Sequence, residues 1–372
     1  MRELSQVYVH TFLWSIGGRM IGIFVPSYLL SIGYPLTEVL IYNVIWSVGV
    51  ALVSPLAVHV QPRIGVKKML SVGVLIQAAF LLLILTVEGN RWPVLFLSAV
   101  NGVYAAVYFT SRFSLFSAGV KKGEEGKSSS MLFSMVSAAE LVAPLVMAVL
   151  INKFGFGAVS LISIGFIVAS VVPLFLSKDV SLPVRRPWRK IYSRPNLRYF
   201  MLYAQDGLLS FTILYWPLYA FITNSNFLAV GGAASLMQVG VLIYTLLVGR
   251  FVDRHSKIMA AALGSLGNGV LFGLLVLMPS RPEIVLAVSV LIGFVQRSWL
   301  VSMFAITTEQ ARKQDVARWQ AFRETGVGVG RMLVTTPAAV AASLLGGFGI
   351  SALACIAFGL AELAKGKRWF GK

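Results

Sequence analysis

The chain has 372 residues, of which 57% are hydrophobic and only 12% are charged, and its mean hydropathy is +0.81. A water-soluble protein of this size could not cover so much apolar surface with polar side chains, so water-soluble fold classes are excluded. The formal net charge of +18 would suit a nucleic-acid binder, but the basic residues are spread over many short turns and form no single nucleic-acid surface.

The hydrophobic residues occur in twelve long runs, and a helix that crosses a bilayer needs roughly 20 such residues. The runs are continuous rather than alternating, which favours helices over a barrel because a helix satisfies its own backbone in lipid. We therefore predict an all-α integral membrane protein with twelve transmembrane helices. In chain order the predicted spans are 7–31, 37–60, 67–88, 92–117, 128–153, 156–177, 197–222, 228–252, 257–279, 283–308, 318–345 and 347–365.

The basic residues are distributed unevenly between the two sides of these spans. When the N-terminus is placed inside, nearly all of the 32 Lys and Arg fall in inside loops or within spans. The outside loops hold only Arg91, Lys153 and Arg281. This positive-inside distribution predicts a protein of the cell (plasma) membrane with both termini in the cytoplasm.

One hydrophilic stretch separates the first six spans from the last six. It holds several Pro, Arg and Lys residues, which keep it out of a transmembrane helix and at the cytoplasmic surface. We therefore predict an N-terminal six-helix half at 1–178, a cytoplasmic basic linker at 179–196 and a C-terminal six-helix half at 197–372.

The two predicted halves repeat several features at a nearly constant spacing. Pro26 in the first span corresponds to Pro217 in the seventh at an offset of 191, and Pro144 corresponds to Pro337 at an offset of 193. A short basic turn follows the second span of each half, again at an offset of 191. Duplicated halves are typical of secondary transporters, whose substrate site lies between the halves near the bilayer midplane.

Together these features resemble the major facilitator superfamily along essentially the full chain. The basic turn resembles the loop motif of that superfamily at Gly249, Asp253 and Arg254 in the second half, and at Arg63 and Gly65 in the first half. The resemblance implies two pseudo-symmetric halves that carry a small solute by alternating access.

The resemblance also implies that the basic turn acts as a cytoplasmic latch. A carboxylate is stabilised at a helix N-terminus, so we expect Asp253 to face the first turn of the fifth span, at residues 128–130. In the first half Pro62 replaces the aspartate, so that copy lacks the group for a matching latch. The alternative is that both turns only anchor the chain through their positive charge.

Several ionisable residues lie inside the predicted spans, where each costs at least ~2.5–3.5 kcal/mol unless it faces a partner or a cavity. Arg19, Glu140, Arg297 and Arg331 lie near mid-span, and Asp206 lies nearer the cytoplasm. In the fold that the resemblance implies, the first span neighbours the fifth and the seventh neighbours the eleventh. We therefore predict the ion pairs Arg19–Glu140 and Asp206–Arg331. The pairs either stabilise each half or couple transport to protons through Glu140 or Asp206.

By the same resemblance, the first, fourth, seventh and tenth spans line a central cavity. Their polar and aromatic side chains are the predicted substrate-binding residues: Arg19, Asn101, Tyr104, Tyr108, Gln205, Tyr215, Tyr219, Gln296 and Arg297. Arginine binds carboxylate and phosphate in a fork, so this set favours an anionic substrate. The alternative is a proton antiporter that exports amphipathic or cationic compounds. Arg112, near the end of the fourth span, is expected to extend toward the lipid headgroups.

The sequence contains no pattern that is typical of an enzyme or of an ATP-driven pump. It has no Gly-rich phosphate-binding run that ends in Lys-Ser or Lys-Thr, and its three histidines lack a metal-ligand spacing. We expect no metal, no cofactor and no nucleic-acid partner. The expected partners are a small-molecule substrate, a proton as coupling ion and the lipid bilayer, and the chain is expected to act as a monomer. A receptor or scaffold without transport activity is the remaining alternative class.

Overall fold

The structure is a computed structural model that describes residues 2–90, 93–180, 182, 187–247, 257–277 and 282–365. Within these ranges the chain is predominantly helical, and they contain no β-strand. The all-α prediction is therefore confirmed for the described residues. It follows from the continuous apolar runs, because a helix pairs its own backbone donors and acceptors.

The earlier helices occupy the part of the chain that precedes the basic linker. They are α1 (Arg2–Trp14), α2 (Met20–Ser31), α3 (Leu36–Ile64), α4 (Val66–Leu85), α5 (Val87–Asn90), α6 (Val94–Gly119) and α7 (Glu125–Ala169). A π-helical turn at Ser15–Arg19 joins α1 to α2. Gly65, with a φ angle of 98°, separates α3 from α4, and Gly155, with a φ angle of 82°, interrupts α7. The break at Gly155 lies where the sequence predicts a turn between the fifth and sixth spans.

The later helices follow the linker. A 3-10 turn at Val172–Leu176 follows α7, and the linker itself forms the short helix α8 (Trp188–Ile191) and a 3-10 turn at Arg194–Asn196. The remaining helices are α9 (Leu197–Asn224), α10 (Phe227–Leu247), α11 (Lys257–Leu277), α12 (Pro282–Lys313), α13 (Val316–Val340) and α14 (Leu344–Lys365).

Nine stretches within the described residues are long and apolar enough to cross a membrane. They are Leu4–Ser31, Leu36–Ile64, Val66–Leu85, Val94–Gly119, Lys127–Leu176, Phe227–Thr245, Met259–Leu277, Ile284–Lys313 and Leu344–Ala364. The fifth has 50 residues and contains the break at Gly155. Two further helices, α9 and α13, have 28 and 25 residues but are less apolar, because they carry buried polar and charged side chains.

Close helix packing connects the earlier helices to the later ones. The helix α3 packs against α13, and α7 packs against α10. Within the later helices, α9 and α13 approach so closely that a Cβ atom added at Gly330 would overlap the carbonyl oxygen of Ala204. Small residues at such crossings let two helix backbones meet, which is how helices commonly associate inside membranes.

Candidate functional site

A cluster of buried charges joins α9, α12 and α13, and we call it the Arg323 cluster (Asp206, Trp299, Arg323 and Glu324). Arg323 Nη2 lies 3.0 Å from Asp206 Oδ2, and Arg323 Nη1 lies 2.5 Å from Glu324 Oε1. The indole Nε1 of Trp299 donates a hydrogen bond of 3.1 Å to Asp206 Oδ1. Each of the four residues is at most 8% exposed. One guanidinium therefore faces two carboxylates in a site that is nearly free of solvent.

The predicted Asp206–Arg331 ion pair is wrong, because Asp206 pairs with Arg323. Arg331 instead donates from Nε to Ser210 Oγ at 2.7 Å, and its guanidinium carbon lies 4.5 Å from the ring centroid of Trp46. Asp206 precedes Ser210 by one helical turn on α9, a rise of about 6 Å. Since α9 and α13 run side by side in the same direction, the partner of Asp206 must lie nearer the start of α13, where Arg323 is.

Glu140 on α7 is contacted by side chains of the later helices. Gln238 Nε2 on α10 donates a hydrogen bond of 2.7 Å to Glu140 Oε2. The charge of Glu140 also acts on Arg297 of α12, whose guanidinium carbon lies 5.3 Å from the ring centroid of Phe133. The predicted pair with Arg19 stays a prediction, because the side chain of Arg19 lies outside the described part of the structure. Glu140 thus connects the earlier helices to the later ones.

The predicted substrate residues on α6 lie in two different environments. Asn101 Nδ2 donates a hydrogen bond of 2.7 Å to the hydroxyl of Tyr42 on α3. Tyr104 and Tyr108 lie on one face of α6, as their spacing predicts, and their ring centroids are 5.7 Å apart. That face is covered by Trp14 of α1, whose ring stacks on Tyr108 at 4.5 Å.

The remaining predicted substrate residues do not join these tyrosines. Gln205 on α9 donates to the Oγ of Ser265 on α11 at 3.1 Å. The ring centroid of Tyr215 lies 4.4 Å from that of Phe211 on α9, and the ring centroid of Tyr219 lies 5.8 Å from that of Phe348 on α14. Gln296 on α12 is buried, and its Nε2 has no hydrogen-bond partner among the described residues. The contacts of the described members therefore fall in several neighbourhoods, and their joint role in substrate binding stays a prediction.

Arg112 on α6 does not extend to the headgroups as we expected, because it is only 2% exposed. Its guanidinium carbon lies 4.7 Å from the ring centroid of Phe113 and 5.5 Å from that of Trp14. On α13, the guanidinium carbon of Arg323 lies 5.1 Å from the centroid of the same Phe113 ring. Phe113 also meets Phe304 of α12 edge to face at 4.7 Å. Tyr104, Tyr108 and Arg112 follow one another at intervals of four residues, which puts them on one face of α6. This spacing is the sequence feature that could have predicted the burial of Arg112 beside the tyrosines.

The basic turn at Arg63 and Gly65 is held by the side chain of Asp179. Asp179 Oδ1 accepts a hydrogen bond of 2.8 Å from the backbone N–H of Lys67, and its Oδ2 lies 3.4 Å from the backbone nitrogen of Lys68. Gly65 provides the positive φ angle that the turn requires, and Arg63 is exposed. Asp179 therefore caps the first turn of α4. The basic turn itself contains no aspartate that could do this, because Pro62 stands at the aspartate position of the motif.

The second copy of the basic turn, with Gly249, Asp253 and Arg254, lies outside the described residues. The latch that we expect Asp253 to form therefore stays a prediction. At its expected target, the backbone oxygen of Ser128 accepts a hydrogen bond of 3.2 Å from the hydroxyl of Tyr8.

Comparison with known proteins gives one family and two related folds. A family model described as Major Facilitator Superfamily matches residues 7–223. One similar solved structure is a bacterial homologue of the iron transporter ferroportin in an outward-facing state, with a TM-score of 0.70, 18% identity and 99% of each chain covered. Another is the human organic anion transporter MFSD10 (TETRAN), with a TM-score of 0.67, 11% identity, and coverage of 97% of this chain and 99% of that chain. At these identities the likeness shows the fold alone, and no curated protein matches the chain in sequence.

Proposed function

The chain belongs to the major facilitator superfamily, and from this premise we propose that it is a secondary active transporter that works by alternating access. The family and the transporter folds that it resembles make it an integral membrane transporter of a small molecule, and not an enzyme. The further proposals concern how its halves move, what drives the movement and which solutes it prefers.

One pair of contacts between the earlier and later helices carries this proposal. Glu140 on α7 accepts a hydrogen bond from Gln238 on α10, and Trp46 on α3 lies under the guanidinium of Arg331 on α13. At the offset of 191 residues, Glu140 corresponds to Arg331, and Ser47, next to Trp46, corresponds to Gln238. The two contacts are therefore made at positions of the repeat that match to within one residue. Equivalent contacts are what two duplicated halves need if they rock about a shared interface.

The proposed architecture has twelve spans in two halves, at 1–178 and 197–372, joined by the basic linker at 179–196. We divide the long stretch Lys127–Leu176 at Gly155, and we place α9 and α13 across the membrane although they are less apolar. Their charged side chains contact other protein groups, as is usual for ionisable residues within a bilayer. Both termini are proposed to lie in the cytoplasm, and the protein is proposed to act as a monomer in the plasma membrane.

The Arg323 cluster is the proposed site of proton coupling within the later helices. Asp206 and Glu324 share Arg323, so the cluster carries one negative charge when all three groups are ionised. An excess charge in a buried site is costly, and a proton on one carboxylate removes that cost. Glu140 is the proposed carboxylate at the interface, because its hydrogen bond with Gln238 joins an earlier helix to a later one.

An anionic substrate is the preferred class within this proposal. Arg297 and Arg331 both lie over aromatic rings of the earlier helices, at 5.3 Å and 4.5 Å, so substrate could reach them from between the halves. Arginine binds carboxylate and phosphate oxygens through two parallel donors. One protein with a similar fold is described as an organic anion transporter, which is consistent with this preference.

The proposal is tested by flux into proteoliposomes that contain the purified protein. Ligands are first selected by thermal stabilisation at acidic and neutral pH from a panel of organic anions and cations, because a ligand that binds the folded state raises its apparent stability. Ligands that stabilise the protein are then supplied in radiolabelled form with and without an imposed pH gradient. We expect gradient-dependent uptake of an anion. Binding without any flux would favour a receptor, and selective flux of cations would favour the exporter.

Two matched variants locate the coupling carboxylate. Glu140→Gln keeps the size and hydrogen-bonding capacity of the side chain but cannot release a proton, and Asp206→Asn makes the same change within the Arg323 cluster. We expect at least one of them to abolish gradient-driven uptake while substrate binding is retained. Lys313→Gln, in an exposed ion pair on α12, serves as the control. Full coupling in both carboxylate variants would contradict the assignment.

A further inference from the structure

The structure contains a second buried arginine environment that the proposed coupling and interface sites do not use. Arg112 on α6 is 2% exposed, and its guanidinium carbon lies within 5.7 Å of the ring centroids of Trp14, Tyr108, Phe109 and Phe113. We call this arrangement the Arg112 box. Cation–π attraction stabilises a guanidinium over such rings, but ring faces do not replace the in-plane oxygen acceptors that its N–H groups require.

Two of the three guanidinium nitrogens of Arg112 are buried without an acceptor among the described residues. Among the described residues, neither Nε nor Nη1 of Arg112 has a hydrogen-bond partner, and none of the ion pairs there involves it. A buried cation without a counter-charge is unusual, because buried charges are normally paired with an opposite charge. The Arg323 cluster illustrates the usual arrangement, with two carboxylates on one guanidinium. Arg112 therefore has the chemistry of an anion-binding group whose anion is supplied from outside the chain.

Two hydroxyl groups on the neighbouring helix add further donors. Thr11 and Ser15 are both fully buried, and neither hydroxyl has a hydrogen-bond partner within the described residues. They are four residues apart and flank Trp14, so all three occupy one side of α1 and the π-helical turn that follows it. Because Trp14 lies over Arg112, these hydroxyls are on the side of α1 that approaches the Arg112 box. Guanidinium and hydroxyl donors together suit a carboxylate or phosphate group.

The walls of the box define the rest of the ligand. The ring of Trp14 stacks on Tyr108 at 4.5 Å, and Phe109 meets Tyr108 edge to face at 5.2 Å. Flat aromatic surfaces beside a cation favour a ligand that combines an anionic group with an apolar or aromatic body. We propose that the Arg112 box binds the carboxylate or phosphate of an organic anion. This inference rests on the proposed transport function and deepens it by naming a binding group in the earlier helices.

A contact between the two sets of helices covers the box. Phe113 lies between the guanidinium groups of Arg112 and Arg323, at 4.7 Å and 5.1 Å, and meets Phe304 of α12 edge to face at 4.7 Å. Phe304 also meets Phe133 of α7 edge to face at 4.9 Å. When α6 and α12 separate, the Phe113–Phe304 contact opens and Arg112 becomes accessible from that end of the protein. The box therefore receives its anion in one of the two alternating states.

The proposal is tested by ligand-dependent thermal unfolding of the purified full chain in detergent. The sole cysteine, Cys355, is buried and reacts with a thiol-sensitive dye as the protein unfolds. The probes are benzoate, phenyl phosphate, inorganic phosphate and neutral benzyl alcohol. We expect saturable stabilisation by the two aromatic anions, with little effect of the other two probes, and an apparent Kd that rises by about tenfold or more in Arg112→Gln.

Two further variants keep the result interpretable. Arg112→Lys retains the charge without the fork, so its apparent Kd should lie between those of the wild type and Arg112→Gln, and it decides the matter if Arg112→Gln does not fold. Arg318→Gln removes another arginine that lies over an aromatic ring, Trp188 at 5.1 Å, and should leave the Kd unchanged. Wild-type affinity in both Arg112 variants would overturn the proposal. Equal stabilisation by inorganic phosphate and phenyl phosphate would overturn the organic class of ligand.

This experiment is separable from the test of transport. Binding that depends on Arg112 without any flux would contradict the proposed function and leave the site in place. Flux of an organic anion with an unchanged KM in Arg112→Gln would support transport and contradict the site.

Discussion

Replacing Arg323 by glutamine removes the only cation that contacts Asp206 and Glu324 among the described residues. Both carboxylates are less than 9% exposed, so neither gains much solvation in return. Removing one partner of a buried ion pair typically costs about 3–5 kcal/mol, because the remaining charge stays buried. Since two carboxylates lose the same partner, we expect Arg323→Gln to lower the free energy of unfolding at pH 8 by an amount in the upper part of that range.

Replacing one of the carboxylates should lower the free energy of unfolding less than Arg323→Gln does. In Asp206→Asn, Arg323 keeps its contact with Glu324 at 2.5 Å and no carboxylate is left alone. The matched control is Lys313→Gln, which breaks the exposed pair with Glu309 at 2.6 Å on one helix. That pair should contribute only about 0.3–0.5 kcal/mol despite its short distance.

The assay is thermal unfolding followed through the thiol of Cys355, which is 1% exposed and accepts a hydrogen bond from Gln205 Nε2 at 3.3 Å. The expected order of unfolding temperatures at pH 8 is wild type and Lys313→Gln highest, Asp206→Asn lower and Arg323→Gln lowest. An unfolding temperature of Arg323→Gln equal to that of Lys313→Gln would refute the reasoning.

Two other substitutions test local packing and capping with the same readout. Gly330→Ala should destabilise the protein by about 1–3 kcal/mol, because the new Cβ atom overlaps the carbonyl oxygen of Ala204, whereas Gly165→Ala, which meets nothing within 4 Å, should be neutral or stabilising. Equal effects of the two glycine substitutions would show that α9 and α13 do not pack as closely as described. Asp179→Ala should cost about 0.5–2 kcal/mol by removing the cap of α4, and Lys178→Ala beside it should have no measurable effect. An unfolding temperature of Asp179→Ala equal to that of Lys178→Ala would contradict the capping role.

The sequence predicted the helical class and the family because both depend on long continuous signals. Apolar runs of span length and a repeat at 191 residues do not depend on any single side chain. In the structure Arg331 donates to Ser210, which lies 191 residues after Arg19, whereas the predicted partner of Arg331 was Asp206. The predicted partner of Arg331 therefore lies one helical turn before its observed partner on α9.

The partners of individual side chains were less predictable, because they depend on how far a flexible side chain reaches. Asp206 pairs with Arg323 rather than Arg331, although both arginines belong to α13. Arg112 follows Tyr108 by one turn and is covered by Trp14 instead of extending to lipid. Both outcomes depend on which neighbouring helix covers a given face, and periodicity within one helix does not specify its neighbour. Asp179 illustrates the same limit, because its contact joins segments more than 100 residues apart.

The central claim is that the two sets of helices alternate between states that are open at opposite ends. In a Cys355→Ala background, spin labels on Lys121 and Lys313 report the end where α6 and α12 finish, and labels on Ser31 and Leu228 report the opposite end. Distances for each pair are measured by pulsed electron resonance at pH 5.5 and pH 8, with and without a stabilising ligand. The account predicts two label-to-label distances for each pair. A condition that lengthens the distance at one end should shorten the distance at the other end. A single distance at both ends under every condition would contradict it.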